Sequence, residues 1–257
     1  MQGFCELVSG CELIIGDVHA RAGALEALLH KVGAIDDRGR REPGWWIVQL
    51  GDLLHRRASP EANLATARLA QECIDIVLAG NHERCMLADS SSPCGAALGV
   101  LATRGWPQAA AECGDWLVTH AGVHPELAQT LPADAFECAH AINDRWHRRT
   151  QRRSPDPLFD WVGPSRGGEA PYGGILWMHH DEWPSDGATP WGQITGHVPQ
   201  SKPRLLDGPR WAIDVGSRNG RLAALVRDED NDRWRPVVAA VDGDAYALRR
   251  APALAAA

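Results

Sequence analysis

The chain has 257 residues, of which 44% are hydrophobic and 23% charged, and its formal net charge is -7. That length and apolar share suit one large packed domain and exclude global disorder. The acidic balance gives no overall basic field for a nucleic-acid duplex, and no stretch approaches the roughly 20 apolar residues of a membrane span.

The cysteines, Cys5, Cys11, Cys73, Cys85, Cys94, Cys113 and Cys138, include no CxxC pair. This speaks against a zinc knuckle and reads as reduced thiols. The start of the chain lacks a charged segment followed by a long apolar one, so the expectation is a cytoplasmic protein with no membrane partner.

In chain order, Cys11 to Ile15 predicts a strand that runs into Gly16-Asp17-Val18-His19. Leu25, Leu28, Leu29 and Val32 fall at i, i+3, i+4 and i+7, the spacing of one helix face, and Gly33 is placed to stop it. Trp45 to Leu50 predicts the next strand, ending at Gly51-Asp52. Ser59 and Pro60 read as the N-cap and first residue of a helix reaching about Glu72. Ile74 to Ala79 predicts a third strand, which delivers Gly80-Asn81-His82-Glu83. Trp116 to Thr119 predicts a fourth, ending at His120.

The stretch from about Glu126 to Arg153 reads as mainly helical, and the Gly- and Pro-rich stretch from Ser154 to Gly174 as a long loop. Further strands are expected at Ile175 to Trp177, Gly192 to Thr195, Trp211 to Val215, Leu222 to Val226 and Val237 to Val241. Residues 1–250 are expected to form a single domain, and residues 251–257 a frayed tail. A βαβαβ half followed by a strand-rich half suits a mixed sheet, or two stacked sheets, with helices outside.

Five strand ends carry ligand-type residues: Asp17 with His19, Asp52, Asn81 with His82, His120, and His197. Each is weak evidence alone, because a Gly-Asp at a strand end is more often a turn and a lone histidine is more often structural. Together they suit hard or borderline divalent ions. A central carboxylate can bridge two ions about 3.5–4 Å apart, and Asp52 is the candidate bridge.

The ordered segments GDVHA, GDLLHRR, GNHE, HAGVHPEL and GHVPQ resemble the calcineurin-like metallophosphoesterases. These include protein serine/threonine phosphatases, lambda-phage phosphatase and bacterial diadenosine tetraphosphatase. The resemblance runs over about residues 11 to 228. It implies a four-layer αββα sandwich of two mixed β-sheets flanked by helices. It also implies two divalent metal ions, Mn²⁺ foremost with Fe or Zn as alternatives, and a phosphorylated substrate. The implied reaction is hydrolysis of phosphomonoesters, phosphoprotein included, by a metal-bound hydroxide. A dinucleoside polyphosphate or other nucleotide is the alternative substrate. A third reading is a degenerate, phosphate-binding regulatory protein without turnover.

Position by position, the resemblance implies a first metal at Asp17, His19 and Asp52, and a second at Asp52, Asn81, His120 and His197. His82 matches the general acid, while Arg56, with Asn81, matches the groups that hold the substrate phosphate. The chain departs from the pattern at Ala20, where the family has glycine, and at His55 and Arg57, where it has aspartate and glycine. That aspartate partners the acid, so His55 is expected to act on His82. A second phosphate-binding arginine is missing after Trp177, where the chain reads Met178-His179-His180, and Arg166 is the candidate substitute. His124, His140 and His147 match no motif, and Asp214 reads as structural or as support for a ligand histidine.

Overall fold

The computed structural model describes residues 11–89, 91–152, 154–227 and 233–240. The expected tail, Cys5 and Val241 lie outside the described residues.

The first βαβαβ stretch forms as the sequence dictates. Strand β1 (Cys11–Ile15) pairs in parallel with β2 (Trp45–Gln49), and β2 with the short β3 (Ile76–Val77). Between them lie α1 (Ala22–Val32) and α2 (Pro60–Cys73). Helix α1 ends at Gly33, whose φ of 79° lets its N–H turn back to the carbonyl of His30. Helix α2 begins as expected: the Ser59 hydroxyl accepts the N–H of Ala62, and Pro60 sets the first turn.

Then follow α3 (Asn81–Ala88), α4 (Gly95–Ala102), β4 (Ala110–Cys113) and β5 (Trp116–Thr119). Next come α5 (Pro125–Ala128), α6 (Ala135–Arg152), α7 (Pro157–Asp160) and β6 (Gly192–Thr195). The chain closes with β7 (Arg204–Leu206), β8 (Arg210–Ala212), β9 (Arg221–Arg227) and β10 (Arg235–Ala240). One five-stranded mixed sheet has the order β10-β9-β1-β2-β3, and the other β4-β5-β6-β8-β7.

Period-two alternation stacks the layers. Leu13, Ile15 and Ile47 face a core shared with Leu25, Leu28 and Leu29 of α1 and Ala67 and Ala70 of α2. Their neighbours Ile14 and Val48 face the other way, into a core shared with Val118 and Ile194 of the second sheet. Leu117, beside Val118, packs with Cys138, Ile142 and Trp146 of α6. Helix, sheet, sheet, helix is therefore the layer order, the αββα sandwich expected from the resemblance.

Several sequence expectations fail locally. Ile175 to Trp177 is a turn and not a strand: the N–H groups of Trp177 and Met178 both return to the carbonyl of Gly174, at 2.8 and 2.9 Å. Ile175 and Leu176 are nonetheless fully buried; a short apolar run signals burial, not strand pairing. The long helix expected from Glu126 is two helices, α5 and α6, broken near Pro132, which donates no N–H, and restarted where Asp134 accepts the N–H of Glu137. The expected loop from Ser154 contains α7, capped by Asp156 through the N–H of Leu158. The strand expected from Trp211 to Val215 ends at Ala212. Helices α3 and α4 and strands β4 and β7 have no counterpart in the sequence reading.

Candidate functional site

The ends of β1, β2, β5 and β6 and the start of α3 meet at one edge of the sandwich. Close backbone approaches make that possible. A Cβ on Gly16 would come within 2.9 Å of the Ile213 carbonyl, and one on Gly196 would collide with the Asp17 carboxylate. Gly51, at φ 95°, lies against the backbone of Ala79 and Gly80, which abuts the Asp52 carboxylate.

Four non-glycine residues here hold left-handed backbone: His19 (φ 51°), Ala20 (61°), Asp52 (51°) and His197 (66°). Such conformations cost about 1–2 kcal/mol each and concentrate at functional sites. The first three sit in two turns that brace each other, because Val18 and His19 donate N–H bonds to the Asp52 carbonyl and Ala20 donates to that of Leu53. The left-handed angle at Ala20 is the physical reason for a glycine preference there.

Asp52 is central and buried. Its Oδ1 accepts the His82 N–H at 2.9 Å and lies 3.7 Å from His120 Nε2. Its Oδ2 lies 3.8 Å from His19 Nε2 and 4.0 Å from His82 Nε2. Asp17, His19 and Asp52 each place one ligand atom within 4.8 Å of the others. On the other side of Asp52, His120 Nε2, His197 Nδ1 and Asn81 Oδ1 form a triangle with sides of 3.2, 3.1 and 3.2 Å. Asp17 accepts the His197 N–H, joining the two groups.

The electrostatics suit a cation. Burial, then the charges of Asp214 and Asp52, push the Asp17 carboxyl well above its usual range. Burial and then Glu83 do the same to Asp52. Burial pulls His120 down to about 3 and His197 well below its ordinary value, so both rings are neutral with a lone pair to offer. His197 Nε2 is buried without a hydrogen-bond partner. Carboxylates that resist charging, beside neutral imidazoles facing an amide oxygen, fit divalent ions better than they fit one another.

The remaining expected residues lie around this centre. His82 Nδ1 accepts the N–H of Arg56, whose side chain is exposed. His55 lies against His82, with ring centroids 4.5 Å apart and the planes tilted at 37°, and its own N–H is held by Asn63 Oδ1. Arg166 reaches in from a one-turn helix at Pro164–Arg166 and donates to the His197 carbonyl at 3.0 Å. Burial lowers its pKa, and the charges of Asp214, Glu182, Asp17 and Asp52 oppose that shift. His124 stands apart, stacked on Tyr172 and bonded to the Glu182 carbonyl, and His140 packs on Phe136.

Two residues with structural work here were given no role from sequence. Glu83 is fully buried and accepts the N–H groups of Asp52, Leu54 and Gly80, fastening the second motif to the third. Its signal was its place three residues into a helix start, the capping-box position. Glu182 accepts the N–H groups of Gly173 and Ser165, which fixes the loop carrying Arg166. It too stands three residues into a helix start, where its carboxylate accepts the His179 N–H, but its bonds to Gly173 and Ser165 follow no local pattern.

The fold is similar to two structures of a cold-active protein-tyrosine phosphatase. One, from a psychrophilic Shewanella species, is 16% identical, with 89% of this chain and 78% of that one covered and a TM-score of 0.58. The other, titled as a new structure of a cold-active protein tyrosine phosphatase, is 18% identical, with 93% and 80% covered and a TM-score of 0.59. No curated protein matches the sequence significantly. Among the described residues, no helix is long and apolar enough to cross a membrane. The family model described as calcineurin-like phosphoesterase matches residues 13–228, and the chain belongs to that family.

Proposed function

We propose that this single-domain chain is a dinuclear metallophosphoesterase that hydrolyses phosphomonoesters, phosphoprotein among them. The carrying observation is the convergence of Asp17, His19, Asp52, Asn81, His120 and His197 around one buried carboxylate. Asp17, His19 and Asp52 would hold one ion, and Asp52, Asn81, His120 and His197 the other, with Mn²⁺ the first choice and Fe or Zn accepted by the same donors. When bound, the ions neutralise phosphate charge and make a coordinated water acidic enough to serve as nucleophile.

The chain's own residues supply the rest. Arg56 and Arg166 offer planar guanidinium forks to phosphate oxygens. His82 gives a proton to the departing oxygen. Because its Nδ1 accepts the Arg56 N–H, the neutral ring carries its proton on Nε2, the nitrogen that faces Asp52. The tilted ring of His55 lies against this acid where a carboxylate would stabilise its charged form. That favours substrates whose leaving group needs little protonation, and it supports the second reading, a nucleotide or dinucleoside polyphosphate. Cys73, Cys85, Cys94, Cys113 and Cys138 form no disulfide, which supports a reducing, cytoplasmic setting.

The test is a substrate panel with Mn²⁺: phosphoserine and phosphotyrosine peptides, nitrophenyl phosphate and diadenosine tetraphosphate. Turnover of phosphopeptides is the expected result. Turnover of the dinucleotide alone would replace the first reading with the second. Metal binding without any turnover would favour the third reading, a phosphate-binding protein that has lost catalysis.

A further inference from the structure

His19, His55 and His82 form a triangle of imidazoles, with ring centroids 5.2, 4.9 and 4.5 Å apart. One ring nitrogen from each lies within 4.8 Å of the other two. Nitrogens on one zinc ion stand about 2.0–2.1 Å from the metal, so small ring rotations would close this set around an ion. The three residues come from separate segments, each with its backbone anchored. His19 and His82 donate N–H bonds to the carbonyl and the carboxylate of Asp52, and His55 donates to Asn63. The rings are partly or wholly buried, so their approach is fixed by the fold.

We propose that His19, His55 and His82 form an imidazole-only position for an ion of the zinc, copper or nickel type, and that an ion there stops the reaction. The inhibition rests on the function proposed above; the binding does not. The carboxylate-rich set Asp17, His19 and Asp52 shares His19 with this triangle, so the two positions compete for one ligand. Carboxylates suit Mn²⁺, whereas imidazoles suit Zn²⁺, Cu²⁺ and Ni²⁺, whose affinities for a given nitrogen site are also higher. An ion on the three histidines removes His82 from proton transfer and draws His19 from the carboxylate set. Backbone bonds oppose it: the N–H groups of Arg57 and Arg56 donate to Nδ1 of His55 and His82, at 3.2 and 3.3 Å. Both are N–H···N bonds at the long end of the hydrogen-bond range.

The test adds one equivalent of Cu²⁺ to the Mn²⁺-loaded protein and counts ligating nitrogens by electron paramagnetic resonance, alongside Zn²⁺ inhibition of nitrophenyl phosphate hydrolysis. The wild type should show three nitrogens. His55→Asp should show fewer, and should need at least ten-fold more Zn²⁺ for half-inhibition relative to its own activity. Asp52→Asn, which breaks the carboxylate centre, should keep the three-nitrogen signal. A two-nitrogen signal unaltered in His55→Asp would place the ion at His120 and His197 and overturn the proposal. So would Zn²⁺ inhibition that His55→Asp leaves unchanged. If no substrate is turned over, the nitrogen count alone decides the binding.

Discussion

At the scale of single residues, the site turns on Asp52, whose carboxylate lies beside His19 on one side and His120 on the other. Asp52→Asn is expected to cut bound metal from about two ions per chain to well under one and to abolish turnover, because a bridging carboxylate serves both ions. Elemental analysis of chelator-free protein checks this, and a fully active, fully loaded variant would refute the two-metal reading. Arg56→Ala and Arg166→Ala should retain metal while kcat/KM falls by two or three orders of magnitude. The loss of a charge-assisted phosphate contact costs several kcal/mol. A wild-type rate for Arg166→Ala would show that its bond to the His197 carbonyl is only structural. For His55→Asp, activity on alkyl phosphates should rise more than activity on aryl phosphates, since general acid catalysis is worth about 10²–10⁴-fold and matters most for poor leaving groups. Parallel rates on the two substrate classes decide it, and equal changes would show that His55 does not act through the acid.

At the scale of elements, helix α3 is held where it is by Glu83. Glu83→Ala would leave the N–H groups of Asp52, Leu54 and Gly80 without their acceptor, at about 1–3 kcal/mol for each buried group that stays unsatisfied. A loss of most of the fold's stability is expected, read as a collapse of the denaturant midpoint. Glu83→Gln, which keeps one oxygen acceptor, should be affected less. The far end of the same helix system is tied by Asp160, which pairs with Arg149 of α6 and Arg84 of α3. Burial raises the Asp160 carboxyl, but the bonds from Arg149, the Asp156 N–H and Arg84 outweigh it, and the net shift is downward. A carboxyl with a lowered folded-state pKa takes up protons first in the unfolded chain. Its stabilisation is therefore complete above about pH 4 and lost as pH falls through the folded value. Asp160→Asn should flatten the acid limb of the stability–pH curve below about pH 4. Solvent screening keeps the effect within about 1 kcal/mol.

At the scale of the whole molecule, the buried carboxylates and neutral histidines join β1, β2, β5, β6 and α3 at a point where both sheets meet. An ion bound there would stabilise the folded state by linkage, since the unfolded chain holds no such site. Mn²⁺ should raise Tm and EDTA lower it, by several degrees at saturating metal, and Asp52→Asn should abolish most of the difference. A Tm indifferent to both additions would mean that the cluster holds no ion.

The sequence by itself determined what local chemistry controls. The helix stop at Gly33, the helix start at Ser59-Pro60, the strand from Cys11 to Ile15, and the strand ends carrying Asp17, Asp52, Asn81, His120 and His197 were all legible, because each depends on neighbours within a few residues. It misread Ile175 to Trp177 and the helix from Glu126, where apolar content marks burial but not the partner that decides between turn, helix and strand. Only the tertiary structure decided that Glu83 fastens two motifs and that Arg166 reaches His197 from a loop 31 residues away. It alone brought His19, His55 and His82 into contact. Those arrangements depend on distances between segments far apart in the chain, which packing sets and no local pattern encodes.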